Sequence, residues 1–206
     1  MNHARSQPIL LAAGVAALVL LASPLGRQLL EARLATHMLV QMPALLLIGI
    51  GFGHVSAGAA DRVATWNRGG STGLLLALVI SMFWMLPRSM DAALVDLRFE
   101  AGKFVSLPVA GLALAWSYPT ASTIVKGVLN AHVISALGIM GWTYLAAPAR
   151  LCNAYLAPDQ AAAGAGLLGA GAALSAYFAV RLLFGPIRPR AVLRPHRSAR
   201  ASVAAH

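Results

Sequence analysis

The sequence predicts an all-α fold: a polytopic membrane helix bundle of about six transmembrane helices. Hydrophobic residues make up 59% of the 206 residues and charged residues only 11%, whereas about a quarter of the residues are charged in a soluble domain. The apolar residues form long runs separated by short polar stretches. Since a helix needs about 20 residues to cross the hydrocarbon layer, these runs fill nearly the whole chain. We therefore expect one bundle at residues 1–184 and no second domain.

Six apolar runs predict the individual spans. The first run could also be a signal peptide, but it is longer than a typical signal core and its cleavage site is poor, so we interpret it as a span. The expected spans are residues 8–25, 34–54, 71–87, 104–118, 127–147 and 161–184. The last run is rich in alanine and glycine, which permits close helix packing in lipid. Beyond it, residues 185–206 predict a basic, disordered cytoplasmic tail.

The net charge of +10 is typical of nucleic-acid binding, but its distribution indicates a different environment. The basic residues lie mainly in the tail and in loops that flank apolar runs, as the positive-inside rule requires. We therefore expect the lipid bilayer, and no nucleic acid, as the partner of this surface. The same rule places both termini of this multi-pass protein in the cytoplasm. Cys152 is the single cysteine, which excludes an intramolecular disulfide.

The second predicted span begins with a motif, residues 37–42, that combines polar side chains with soft metal ligands. On a helix, His37 and Gln41 lie one above the other, and Met38 and Met42 form a neighbouring row. Pro43 follows directly and has no backbone N–H, which predicts a kink one turn from the histidine. Because polar groups are costly in lipid unless they are paired or functional, this stretch must face protein or a cavity.

Soft ligands on the outer side of the predicted bundle favour a copper site. Thioether and imidazole groups select Cu(I) among the first-row metals. The alternative is that methionine merely fills gaps in an apolar protein, as it often does. The candidate metal ligands are His37, Met38, Met42, Met82 and Met85.

Two histidines favour a second kind of cofactor. His54 and His132 are predicted in the inner leaflet on different helices, and two imidazoles across a bundle can hold a b-type haem. The alternative is that His54 ends a helix at the interface and His132 hydrogen-bonds a neighbouring helix. A third hypothesis is a structural membrane subunit, or a small-solute channel, without any cofactor.

The stretch between the third and fourth predicted spans holds three acids, Asp91, Asp96 and Glu100. They are candidates for acid–base chemistry or for a cation site, but exposed ion pairs are common and weak. We expect a solvated loop whose acids pair with its own bases, Arg88, Arg98 and Lys103. No nucleophile elbow, phosphate loop or zinc-protease helix is present in the sequence, and we expect a protein that is not an enzyme.

The motif at 37–42, HMLVQM, resembles the His-Met-rich helix of the CtaG-type cytochrome c oxidase assembly factors. The stretches 83–88 and 90–91 are similar to the way those proteins leave the membrane. The resemblance implies a polytopic inner-membrane protein that helps to mature haem–copper oxidases by handling copper. It implies haem–copper oxidase subunits or a periplasmic copper carrier as partners, and it carries His37 over as a metal ligand. Gln41 stands where that family tends to have a second histidine.

Overall fold

The computed structural model describes the backbone of residues 3–185 and the side chains of residues 7–185. These residues form helices and no strand, which confirms the all-α prediction. The predicted basic tail lies outside the described residues from 186 onward. The helices are α1 (His3–Ala22), α2 (Pro24–Leu30), α3 (Leu34–Val55), α4 (Ala57–Val63), α5 (Ser71–Met85), α6 (Pro87–Val95), α7 (Leu97–Ser117), α8 (Thr123–Ala146) and α9 (Ala157–Phe184).

Four helical segments in the described part of the chain are long and apolar enough to cross a membrane. They are Leu34–Val55, Arg68–Met85, Thr123–Ala146 and Ala157–Phe184. A fifth candidate is the pair α1 and α2, whose axes meet at 68°. Length and composition therefore support four or five of the roughly six spans that the sequence predicts.

The expected fourth span, 104–118, is not among these candidates, and its helix begins earlier than predicted. Its helix, α7, starts at Leu97, and the Asp96 side chain caps it by accepting a hydrogen bond from the Arg98 backbone N–H at 2.8 Å. Glu100 and Lys103 therefore lie inside a helix and are buried, rather than in a solvated loop. The expectation that these two residues pair within their own loop is wrong, because capping at Asp96 turns the stretch into the first two turns of α7.

The tightest crossing in the bundle joins α3 to α7. A Cβ atom on Gly49 would overlap the carbonyl group of Pro108, and one on Gly111 would overlap the carbonyl group of Leu46. Only glycine lets the two backbones approach this closely. Helix α7 also contacts α5 and α6, so it is the central helix of one layer.

Helices α8 and α9 form a second pair. A Cβ atom on Gly164 would lie 2.8 Å from the Gly141 carbonyl oxygen, and one on Gly141 would lie 2.9 Å from the Gly164 oxygen. This confirms at Gly164 the close packing predicted for the glycine-rich run, whereas Gly169 faces open space. Helix α9 packs on the first turns of α3, while α8 has only a small contact with α5. A cleft therefore remains between the two layers.

Helix α3 contains a π-helical turn at His37–Gln41, and Pro43 lies two residues after it. The N–H group of Met42 bonds to the carbonyl group of His37, five residues earlier. The disturbance that Pro43 predicts thus takes the form of a wider turn. Such turns are rare inside α-helices and are frequent at functional sites.

Candidate functional site

A group of charged and polar side chains lies where α2, α3, α7 and the loop before α9 meet, and every member except the partly exposed Arg27 is buried. We call it the polar cluster; its members are Arg27, Glu31, His37, Gln41, Glu100, Lys103 and Tyr155. Lys103 and His37 are 0% exposed. A buried charge is costly unless it is paired and hydrogen-bonded. The contacts of the cluster meet this requirement except at Arg27 Nε, which pairs with Glu100 but has no hydrogen bond.

The ammonium group of Lys103 lies among three acceptors. It donates to Glu31 Oε1 at 2.6 Å, to His37 Nε2 at 3.1 Å and to Gln41 Oε1 at 3.3 Å. An ammonium group has three protons and no acceptor. Each proton therefore has one partner, and His37 Nε2 must be unprotonated.

The protonation of His37 follows from this contact. Because Nε2 accepts, Nδ1 carries the proton and donates it to the Tyr155 hydroxyl group at 2.8 Å. Burial raises the pKa of Tyr155, so its hydroxyl group keeps its proton and donates to the Glu31 backbone oxygen at 3.0 Å. His37 is thus neutral, and both of its nitrogens are engaged. Binding a metal through His37 would require the loss of one of these two bonds.

The charges of the cluster balance. Arg27 pairs with Glu100 and lies 3.6 Å from Glu31 Oε2, while Lys103 pairs with Glu31 Oε1. Gln41 Nε2 donates a further hydrogen bond to Glu31 at 3.0 Å. Burial raises the pKa of Glu31, but the hydrogen bond and the charge of Lys103 outweigh it and hold this pKa below its usual value.

One side of the cluster opens to the surface. A pocket of about 400 Å³ is lined by Pro24, Arg27, Gln28, Glu31 and Ala32. The sequence analysis missed the roles of Glu31, Lys103 and Tyr155. The one available signal was Asp96, a residue type that commonly caps helices, followed by a stretch without proline that reaches Lys103 and includes one glycine, Gly102.

The cleft between the two layers holds a cavity of about 630 Å³ with walls from α3, α5, α7, α8 and α9. Six of the seven candidate ligands named from the sequence line it: Met38, Met42, His54, Met82, Met85 and His132. His37 does not line this cavity, because its side chain points into the polar cluster. The remaining lining residues are mostly apolar.

Within this cavity, His132 Nε2 lies 3.1 Å from the sulfur atom of Met82. The sequence analysis placed His132 in the inner leaflet and Met82 near the outer end of its span. The structure brings the two side chains together, because α8 begins at Thr123, earlier than the expected residue 127, and His132 lies further along it. His132, a candidate haem ligand, thus contacts Met82, a candidate copper ligand.

Cys152 is buried in the loop between α8 and α9, 3.7 Å from the Tyr144 hydroxyl group. Burial raises the pKa of its thiol, which favours the protonated form over the thiolate that binds metals. Across the described residues, no group of three His, Cys, Asp or Glu side chains is placed to hold a metal ion.

Comparison with protein-family models, with curated proteins and with solved structures finds no match to this chain. Fold and site together define a helical bundle with several helices able to span a membrane. Its described part combines a mostly buried polar cluster with a cavity whose lining includes methionine and histidine.

Proposed function

We propose that the protein is a multi-pass protein of the bacterial inner membrane, with both termini in the cytoplasm, that holds Cu(I) transiently in the cavity. In this proposal it assists the assembly of a haem–copper oxidase and exchanges the ion with oxidase subunits or a periplasmic copper carrier. The observation that carries the copper step is the 3.1 Å contact between His132 Nε2 and Met82 Sδ in a cavity that also holds three further methionines. The oxidase partner rests on the resemblance of the 37–42 motif.

The donor set of the cavity fits Cu(I). Thioether sulfur and neutral imidazole are soft ligands, and carboxylates, which hard cations prefer, do not line the cavity. Met82 and His132 would hold the ion. Met38, Met42 and Met85 line the same cavity and offer further sulfur donors. When bound, Cu(I) supplies a soft cation whose ligands exchange readily. The other side chains that line the cavity are mostly apolar.

The test is competition for Cu(I) between the detergent-purified full chain and a chromophoric chelator. We expect Met82→Leu and His132→Phe to weaken Cu(I) binding by about tenfold or more, since each removes a donor. Met140→Leu is the matched control, because Met140 lies on α8 with His132 but outside the cavity lining. Wild-type protein that takes no Cu(I) from the chelator, or variants that bind as the wild type does, would overturn the proposal.

The second candidate function is a b-type haem subunit for electron transfer. The observation in its favour is that His54 and His132 line the same cavity. An absorption spectrum of protein purified from haem-supplied cells tests it, and the absence of a Soret band excludes it. Met82→Leu separates the two functions, since it removes a copper donor and leaves both histidines in place. A structural role without cofactor is the prediction if neither ligand binds and host oxidase levels do not depend on Met82 or His132.

A further inference from the structure

Two parallel rows of side chains run along α3, and both repeat every four residues. The first row is buried: His37, Gln41, Leu45, Gly49 and Gly53. The second row lines the cavity: Met38, Met42, Leu46, Ile50 and His54. Each cavity residue directly follows a buried one, so the rotation of the helix that places the first row also places the second.

A regular α-helix cannot keep such rows straight. With 3.6 residues per turn, a row of every fourth residue drifts around the helix by about 40° at each step. The π-helical turn at His37–Gln41 is wider and offsets part of this drift at the start of the helix. It lets His37 and Gln41 face Lys103 while Gly49 and Gly53, further along, still face the backbone of α7.

Lys103 contacts the two ends of this turn. His37 is its first residue and Gln41 its last, and the same ammonium group donates to both side chains at 3.1 and 3.3 Å. Tyr155 holds the other nitrogen of His37 at 2.8 Å. The ion pair with Glu31 Oε1, which also accepts a hydrogen bond from Gln41, anchors the ammonium group.

We propose that Lys103 is a positioning residue for the cavity: by holding both ends of the π-helical turn, it sets the rotation of α3 and directs Met38 and Met42 into the cavity. Its effect on Cu(I) rests on the function proposed above, whereas its effect on the two methionines does not. The polar cluster is then the device that orients the cavity wall, although none of its members lines the cavity.

The test uses the full chain in detergent with ¹³C-labelled methionine methyl groups. In Lys103→Leu we expect the methyl resonances of Met38 and Met42 to move and those of Met90 and Met140 to stay. Cu(I) affinity should fall by about tenfold, as for other residues that orient ligands without touching the metal. Gln41→Leu is the gentler variant, because it frees one end of the turn and keeps the Lys103–Glu31 ion pair.

Gly164→Ala is the control for general destabilisation, since the three atoms nearest to the added Cβ all belong to α8. It should move the resonance of Met140 and spare that of Met42. If Lys103→Leu does not fold, Gln41→Leu decides: moved Met38 and Met42 signals support the inference, and unchanged signals overturn it. Moved signals in a protein that binds no Cu(I) uphold the positioning role and defeat the proposed function. Unchanged signals and unchanged Cu(I) affinity in a folded variant defeat the positioning role alone.

Discussion

The polar cluster and the cavity lie on adjacent faces of α3, but they differ in how completely their polar atoms are hydrogen-bonded. In the cluster, the three protons of Lys103 and both nitrogens of His37 each have a partner, and the charges balance. In the cavity, His132 has one polar contact among the described residues, with a thioether sulfur that accepts hydrogen bonds only weakly. A saturated set of donors and acceptors holds structure, whereas unsaturated soft donors remain free for a ligand.

The comparison changes the meaning of the 37–42 motif. Its histidine and glutamine belong to the saturated side, and its two methionines belong to the open side. The motif is therefore a junction between a structural network and a candidate binding site. Substitutions on the two sides should accordingly differ in whether they change stability or binding.

The largest expected effect is on stability, from Lys103→Leu. This change leaves Glu31 and Glu100 buried with Arg27 as their remaining base, and the loss of one partner of a buried pair costs about 3–5 kcal/mol. The double variant Lys103→Leu/Glu31→Gln should lose less, because it also removes the unpaired charge. Unfolding of the detergent-solubilised protein, followed by circular dichroism, measures both. A single variant that loses under about 1 kcal/mol would contradict the structural role of the cluster.

A smaller effect concerns the acid stability of the cluster. The pKa of Glu31 lies below its ordinary value of 4.5 in the folded protein, so the unfolded chain takes up the proton first as the pH falls. The stabilisation from this carboxylate is fully present above about pH 4.5 and is lost as the pH falls through the lower, folded pKa. Melting temperatures of the wild type should therefore drop more steeply below pH 4.5 than those of Glu31→Gln.

Both proteins share every other carboxylate. The effect of Glu31 is therefore measured by the difference between the two curves of melting temperature against pH. Parallel curves for wild type and Glu31→Gln would mean that Glu31 is not stabilised by its partners in the folded state.

The fold class could be predicted from the sequence, and so could the fact that the two rows of side chains on α3 lie next to each other. Apolar runs predict membrane helices because lipid leaves the backbone no other way to satisfy its hydrogen bonds, and the four-residue spacing of His37 and Gln41 places them on one side of a helix. The glycine-rich last run also predicted the close approach at Gly164.

The polar cluster was not predictable in the same way. Lys103 meets Glu31 across 72 residues of sequence and Tyr155 meets His37 across 118. Such pairs depend on how the helices cross, which no local pattern contains. A lysine among acids in a short charged stretch is far more often solvated, and only the early start of α7 carries this one into the interior.

The smallest expected effect on stability is on the cavity side, from Met82→Leu. Met82 is 44% exposed, and the exchange of methionine for leucine conserves volume, so the loss in stability should stay below about 1.5 kcal/mol. The same change removes the sulfur atom that lies beside His132 Nε2. We therefore expect a protein that melts nearly as the wild type does and has lost Cu(I) affinity, which is the reverse of a mainly structural change. Melting and chelator competition on one preparation measure both quantities. If Met82→Leu instead melts as early as Lys103→Leu, the cavity wall is part of the structural core, and the contrast between the two faces of α3 fails.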